Sequence, residues 1–328
     1  MMERRYIEFT TPESAEVVDD TVGAPGDDDV IISVHHAGIN RADLLQRMGL
    51  YPPPEDASPI PGLEVSGTVA ALGKNVSDFA VGDRICALTH GGGYASLAIA
   101  RADHCLPLPD SMATEQGAAL PEALLTVWYN VFERGRLASG ETVLIHGGSS
   151  GIGSIGIQMA RTMGAIALST AGSSTRCAAA AKLGAQYVAN HREPDLLGQF
   201  SEAGYAGNID VILDIAGGDL MQTNLDLAAQ DGRIVCIGVM RGMQSEINLA
   251  TVFMKRLTLT GSTLRRLETA ERARCFQSIR EHIWPAIING TITPIVDASY
   301  PLQKVLEAHQ HMQSGRHFGK LVLDCRLI

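Results

Sequence analysis

The sequence has no CxxC cysteine pair, no run of ~18 consecutive apolar residues and no long block of like charge. Each absence removes a class of function. Without a CxxC pair, Cys86, Cys105, Cys177, Cys236, Cys275 and Cys325 suggest neither a zinc knuckle nor a redox dithiol. In a reducing compartment they are expected to be free thiols that pack as small hydrophobes. Without a long apolar run no membrane span is expected, and the opening MMERRYIEFT lacks the apolar core of a secretory signal, so a cytoplasmic location is expected. A net charge of −10 argues against nucleic acid or an anionic membrane as a specific partner. Internal repeats and low-complexity segments are missing as well. What remains is a chain of 328 residues, 45% hydrophobic and 19% charged, the composition of a globular protein long enough for two domains.

Up to residue 120 the chain reads as short strands cut by Gly and Pro, among them DDDVIISVHHAGI, GLEVSGTVAALG and GGGYASLAI, the pattern of a compact antiparallel barrel. One helix interrupts it: Asn40 is placed to cap RADLLQRMG, which ends at Gly49. From Pro121 the rhythm changes. A helical stretch is followed by apolar strands near 142–146, 166–170, 187–189, 209–213, 233–237 and 257–261, with helices between them. That alternation predicts a doubly wound parallel sheet, the Rossmann arrangement that binds dinucleotides. Past 265 come two amphipathic helices, about 268–289 and 302–314, and a lone strand, GKLVLD, which needs the first sheet as host. The expected fold class is α/β, with a catalytic domain of residues 1–120 and 266–328 around a nucleotide domain of 121–265.

Between the strand TVLI and the helix SIGIQMARTMG lies Gly147-Gly148-Ser149-Ser150-Gly151-Ile152-Gly153. Small residues let a backbone approach a pyrophosphate, and the helix N-terminus offers N–H donors and the positive end of its dipole. NAD sites carry an Asp or Glu about 20 residues further on, for the ribose hydroxyls. Here the next strand ends in Gly172-Ser173, with no acid nearby and Arg176 following. Ser173, Arg176 and the pair His191-Arg192 can receive a 2′-phosphate instead. The expected cofactor is NADPH.

GGSSGIG also fits the short-chain dehydrogenases, whose Tyr-x-x-x-Lys pair is matched by Tyr300 and Lys304. In that family the glycine loop lies near the N-terminus and the pair sits within a helix. Here a long β-rich region comes first, and Pro301 begins a helix after Tyr300. That reading is set aside.

The chain instead resembles, nearly end to end, the zinc-independent quinone oxidoreductases of the medium-chain dehydrogenase/reductase superfamily, above all the p53-inducible type. The resemblance rests on NRADLLQRMGLYPPP, PGLEVSGTVAALG, PEALLTVWYNVF, ETVLIHGGSSGIGSIGIQ, DGRIVCIG and YPLQKVLEAHQHMQSGRHFGKLVL. It implies that the first domain is a GroES-like β-barrel to which the tail returns. It also implies that Asn40 and Tyr51 lie beside the nicotinamide and that Thr126 contacts the cofactor. Backbone at Ala216-Gly217-Gly218, Ile237-Gly238 and Gly261-Ser262 lines the rest of the trough, and Phe318 and Lys320 lie nearby. Zinc-dependent relatives place ligands where this chain has Asn40, Leu63 and Glu122, so no metal is expected. His35, His36 and His90 lack ligand spacing.

With hydride supplied by the nicotinamide, a quinone is electron-poor enough to need no Lewis acid, and Tyr51 is the expected donor toward the substrate oxygen. Asn40 is also open to the plain role of a helix cap. Two other readings remain: reduction of activated alkenes such as enals and enones, and a cofactor-binding protein with little turnover. The apolar, alternating last strand of the sheet, RLTLTGST, has no evident protection and predicts a homodimer through that edge.

Overall fold

The computed structural model describes residues 1–326, so the last two residues of the expected 266–328 segment lie outside it. The chain forms two compact units. The first comprises Met1–Ala123, Arg265–Glu281 and the chain from Pro294 onward. The second comprises Leu124–Leu264 and His282–Thr293.

The first unit is built on a sheet of Asp29–Gly38, Glu64–Leu72, Arg84–Leu88 and Cys105–Pro107, joined by the terminal strand Lys320–Asp324 and by Val296–Pro301. Leu97–Arg101 pairs with the strand 29–38 as well. Alternate residues of these strands (Val30, Ile32, Val34, Val65, Val69, Ile85) turn into one core with Leu321 and Leu323, so the C-terminal strand is held by the face it completes. Pairing is antiparallel except between Val296–Pro301 and Lys320–Asp324, which run parallel, a departure from the all-antiparallel expectation. A hairpin of Met2–Thr11 and Ser14–Val22 precedes the barrel. Tyr300 lies on the strand Val296–Pro301 and its hydroxyl meets His311 Nδ1 at 2.9 Å, while the Lys304 ammonium turns to Glu307. The Tyr-x-x-x-Lys spacing therefore has no helix to carry it.

The second unit holds six parallel strands in the order Tyr187–Asn190, Ile166–Ala171, Thr142–Ile145, Ile209–Asp214, Ala228–Cys236 and Thr258–Gly261. Strand order reverses between Thr142–Ile145 and Ile209–Asp214, the crevice where such sheets bind ligands. The strands' near-continuous apolar character follows from burial on both faces.

Two expectations about the later chain are corrected. The helix expected over 268–289 is two, Thr269–His282 and Trp284–Ile288, broken where Pro285 has no N–H to donate. Residues 282–293 also pack with the second unit, not the first. There Trp128 stacks on His282 with ring centroids 5.7 Å apart, and Gln158 exchanges two hydrogen bonds with the Thr293 backbone. The six cysteines are free thiols, and Cys86, Cys105, Cys275 and Cys325 are buried. Among the described residues no helix is long and apolar enough to cross a membrane.

Candidate active site

The glycine loop closes the strand Thr142–Ile145 and opens the helix Gly151–Thr162. Its shape is set by its own packing. Gly147 has φ +75°, a region that favours glycine. A Cβ on Gly148 would lie 2.3 Å from Ser169 Oγ, and one on Gly153 would lie 2.2 Å from the Gly147 carbonyl. Ser150 caps the helix, its Oγ accepting from the Gly153 amide at 2.9 Å. Ser149 and Ile152 are half-buried and Gly151 is buried at the helix start. The loop is thus a bare backbone cradle at a helix N-terminus, and a dinucleotide's pyrophosphate fits it.

Beside it, Gly172 ends the next strand. A Cβ there would lie 3.2 Å from His191 Nε2 and 3.4 Å from Arg192 Nε, so the residues singled out for a 2′-phosphate do come together. Ser173 is the N-cap of Ser174–Lys182, its hydroxyl oxygen accepting from the Arg176 amide at 3.3 Å, which leaves its O–H free to donate elsewhere. Burial, then the neighbouring His146, Arg192, Arg241 and Arg176, hold the His191 imidazole below its ordinary range. Several positive groups therefore crowd one strand end.

Across the switch point, the buried carboxylate of Asp214 accepts from the amides of Ala216 (2.7 Å) and Gly217 (2.9 Å). Gly217 and Gly218 have φ of +62° and +59°, and a Cβ on Gly238 would lie 2.4 Å from the Ile215 carbonyl. Asn130 joins two further expected residues: Ser262 Oγ donates to its Oδ1 at 2.7 Å, and its Nδ2 donates to the Thr126 carbonyl at 2.9 Å. Thr126 sits in the helix Pro121–Val127, which continues from Trp128 to Arg134 as a wider π-helix. The sequence reading missed Asn130 and Asp214. Asp214, an acid closing an apolar strand, was the more legible of the two.

In the first unit the buried side chains of Asn40, Glu64 and Lys320 form a closed triangle. Lys320 Nζ lies 2.5 Å from both Asn40 Oδ1 and Glu64 Oε1, and Asn40 Nδ2 donates to Glu64 Oε1 at 2.9 Å. Burial opposes the Lys320 charge, but Glu64, Glu122 and Asp43 outweigh it and hold the ammonium above the ordinary lysine range. Asn40 does occupy the N-cap position, but its side chain makes no capping bond. Asp43 closes the turn instead, its Oδ2 accepting from the Asn40 amide at 2.8 Å. The fully buried Asp43 carboxyl also accepts from Gly62 N (3.2 Å) and Tyr94 O–H (3.2 Å). Burial raises its pKa to about 6 against those bonds. Asp43 escaped the sequence reading, although an acid three residues after a cap is the reciprocal half of a capping box.

Tyr51 is half-buried, with the Arg265 guanidinium 4.6 Å from its ring centroid and donating to its carbonyl at 2.8 Å. Among the described residues its hydroxyl has no hydrogen-bond partner. Phe318 is half-buried and precedes Gly319, whose φ of +91° turns the chain toward Lys320.

These groups do not suit Zn²⁺. Both ends of the Asn40 amide are engaged, Glu64 Oε1 already faces an ammonium, and position 63 is a leucine. His36 is bonded to Thr114 and faces Glu115, and His90 faces Asp56.

Two family models match: "Alcohol dehydrogenase GroES-like domain" over residues 26–110 and "Zinc-binding dehydrogenase" over residues 151–279. The quinone oxidoreductase of Rattus norvegicus is 32% identical over 97% of this chain and 96% of its own length. Among solved structures, the quinone oxidoreductase of Pseudomonas syringae superposes with a TM-score of 0.85 at 29% identity, covering 98% of this chain and 100% of that one. The Escherichia coli quinone oxidoreductase complexed with NADPH gives 0.82 at 28% identity, covering 98% and 99%. The first unit is a GroES-like barrel, the second a Rossmann fold, and the chain belongs to the quinone oxidoreductase family of the medium-chain dehydrogenase/reductase superfamily.

Proposed function

We propose that this protein is an NADPH:quinone oxidoreductase working without a metal. The observation that carries the reading is the strand end at Gly172, where His191, Arg192 and Arg176 gather. A 2′-phosphate is drawn to such a place, whereas the free hydroxyls of NADH's ribose would call for a carboxylate. When bound, the nicotinamide supplies a hydride. The loop 147–153 holds the pyrophosphate, and backbone at Ala216, Gly217, Gly238 and Ser262, with Thr126, lines the remainder. Asn40, held by Lys320 and Glu64, keeps one N–H to orient a carbonyl oxygen. Tyr51, its ring braced by Arg265, carries an unspent hydroxyl that donates to the oxygen on which charge develops. The buried ammonium of Lys320 supplies positive charge in place of a metal. Phe318, two residues before Lys320 in the chain, belongs to the same site in this reading.

The exposed edge Thr258–Gly261 adjoins Leu249, Phe253 and Met254, which are 68%, 67% and 69% exposed, and we assign this apolar surface to a second copy of the chain. A cytoplasmic location fits the same reading.

The test is steady-state turnover with 1,4-benzoquinone, 9,10-phenanthrenequinone and 2-hexenal, with each of NADPH and NADH. The expected outcome is NADPH-dependent quinone reduction that survives EDTA. Preference for 2-hexenal would move the protein to the alkene reductases. Binding without turnover would make it a cofactor-binding protein. Chelator-sensitive activity with stoichiometric zinc would overturn the metal-free site.

A further inference from the structure

His146 is buried directly under the glycine loop and has no place in the function proposed above. Its Nδ1 lies 3.1 Å from Thr170 Oγ1 and its Nε2 lies 2.8 Å from Asn224 Oδ1. Asn224 Nδ2 donates to Asp214 Oδ2 at 3.0 Å, and Thr170 Oγ1 accepts from the Gly147 amide at 3.2 Å. All four side chains are buried.

Hydrogen-bond polarity, together with the neutral ring that burial favours, orders the protons in this network. The Asp214 carboxylate only accepts, so Asn224 must turn its NH₂ toward it and its oxygen toward His146. His146 Nε2 therefore carries the hydrogen. In the neutral ring Nδ1 is then an acceptor, and Thr170 O–H donates to it. Thr170 Oγ1 in turn accepts from Gly147. Burial, with help from Arg241, favours the neutral ring over the pull of Asp214.

One end of this chain is the first amide of the glycine loop. The other is the carboxylate that gathers the amides of Ala216 and Gly217. Strands Thr142–Ile145 and Ile209–Asp214 are neighbours, so the chain crosses beneath the point where strand order reverses. We propose that His146, as the neutral Nε2–H tautomer, is a positioning residue that ties the glycine loop to the 214–217 loop and so sets the spacing of the two backbone lips that grip the dinucleotide. This rests on the dinucleotide reading of the loop. His146 touches neither the reacting atoms nor the substrate in this assignment.

The test breaks the chain on either side of His146 with Thr170→Val and Asn224→Leu. Binding of NADPH and NADH to the resting protein is read by calorimetry, and the ring by ¹⁵N NMR of labelled histidine. Each variant is expected to weaken NADPH about five- to tenfold, from the loss of a buried hydrogen bond that leaves a partner unsatisfied. The double variant should lose no more than the worse single, since one linkage has been cut twice. In turnover the loss should fall more on KM than on kcat. In the wild type the His146 ring should show one protonated nitrogen, Nε2, at pH 8. A protonated Nδ1, or variants that bind NADPH like wild type while losing only thermal stability, would overturn the proposal alone. Wild-type protein that binds neither dinucleotide would remove the reading beneath it, and the proposal with it.

Discussion

Lys320 Nζ lies 2.5 Å from Glu64 Oε1, and both side chains are buried, at 6% and 0% exposure. A buried pair of this kind is costly to break on one side, because the surviving charge is stranded. Lys320→Met and Glu64→Gln are each expected to destabilise the fold by roughly 3–5 kcal/mol. The double variant should lose less than the sum, because it strands no charge. Urea unfolding of the four proteins checks this, and additive losses would mean that the two groups do not act as a pair.

The strand end at Gly172 makes the cofactor preference testable by charge. A charge-assisted hydrogen bond contributes ~1.5–3 kcal/mol, so Arg176→Ala should lower kcat/KM for NADPH roughly ten- to a hundredfold and leave NADH nearly untouched. Gly172→Asp should go further, since its carboxylate would sit beside His191 and Arg192, pairing with the Arg192 charge and repelling the phosphate. Equal weakening of both cofactors by Arg176→Ala would refute the assignment.

The two tyrosines separate two mechanisms. Tyr51→Phe should lower kcat by up to the ~10²-fold low end of general-acid effects, less with quinones, for which water can donate. Tyr300→Phe should stay within a few-fold, because its hydroxyl serves His311. A collapse of turnover in Tyr300→Phe alone would reinstate the short-chain reading.

Acid should destabilise the first unit through its buried histidines. Burial, then the charge of Arg47, lowers the His309 pKa to about 3 from an ordinary 6.5. Above pH 6.5 the ring is neutral in both states, and stability is at its full value. As pH falls, the unfolded chain takes up a proton that the folded one refuses, which removes up to about 1.4 kcal/mol per pH unit. His104, lowered to about 4 by burial, adds the same sign. Asp43, raised to about 6, works in the opposite direction as pH falls from 6 toward its ordinary 3.8. His309→Phe should flatten the acid limb by about one proton, read from denaturant midpoints across pH 4–7. An unchanged slope would contradict the assignment.

Edge pairing predicts a dimer in solution. Light scattering should give twice the chain mass at micromolar concentration, and Leu259→Lys on the strand Thr258–Gly261 should give the monomer. A monomeric wild type would leave the apolar surface unexplained.

The parallel sheet was legible because strands buried on both faces are written as short apolar runs, and a helix between each pair leaves a periodic signal. The residues crowding Gly172 were legible for a related reason: charge, or its absence, at a fixed distance from a glycine loop is a local property. Asn130 and His146 were not. Each matters through a partner distant in sequence, Ser262 or Asn224, and no local pattern announces such pairing. Asn40 shows the converse error. Its cap position is visible in the sequence, but the ion pair that draws its amide away from the helix depends on a lysine 280 residues downstream.

The buried cysteines have a chemical consequence for a protein proposed to handle quinones. Quinones are electrophiles that add to sulfur, and the species they capture is the thiolate. Burial pushes the thiols of Cys86, Cys105 and Cys325 well up, and that of Cys236 to about 11. Cys177 is raised as well, chiefly by burial. At neutral pH these sulfurs stay protonated, which would protect the protein from arylation if quinones are its substrates.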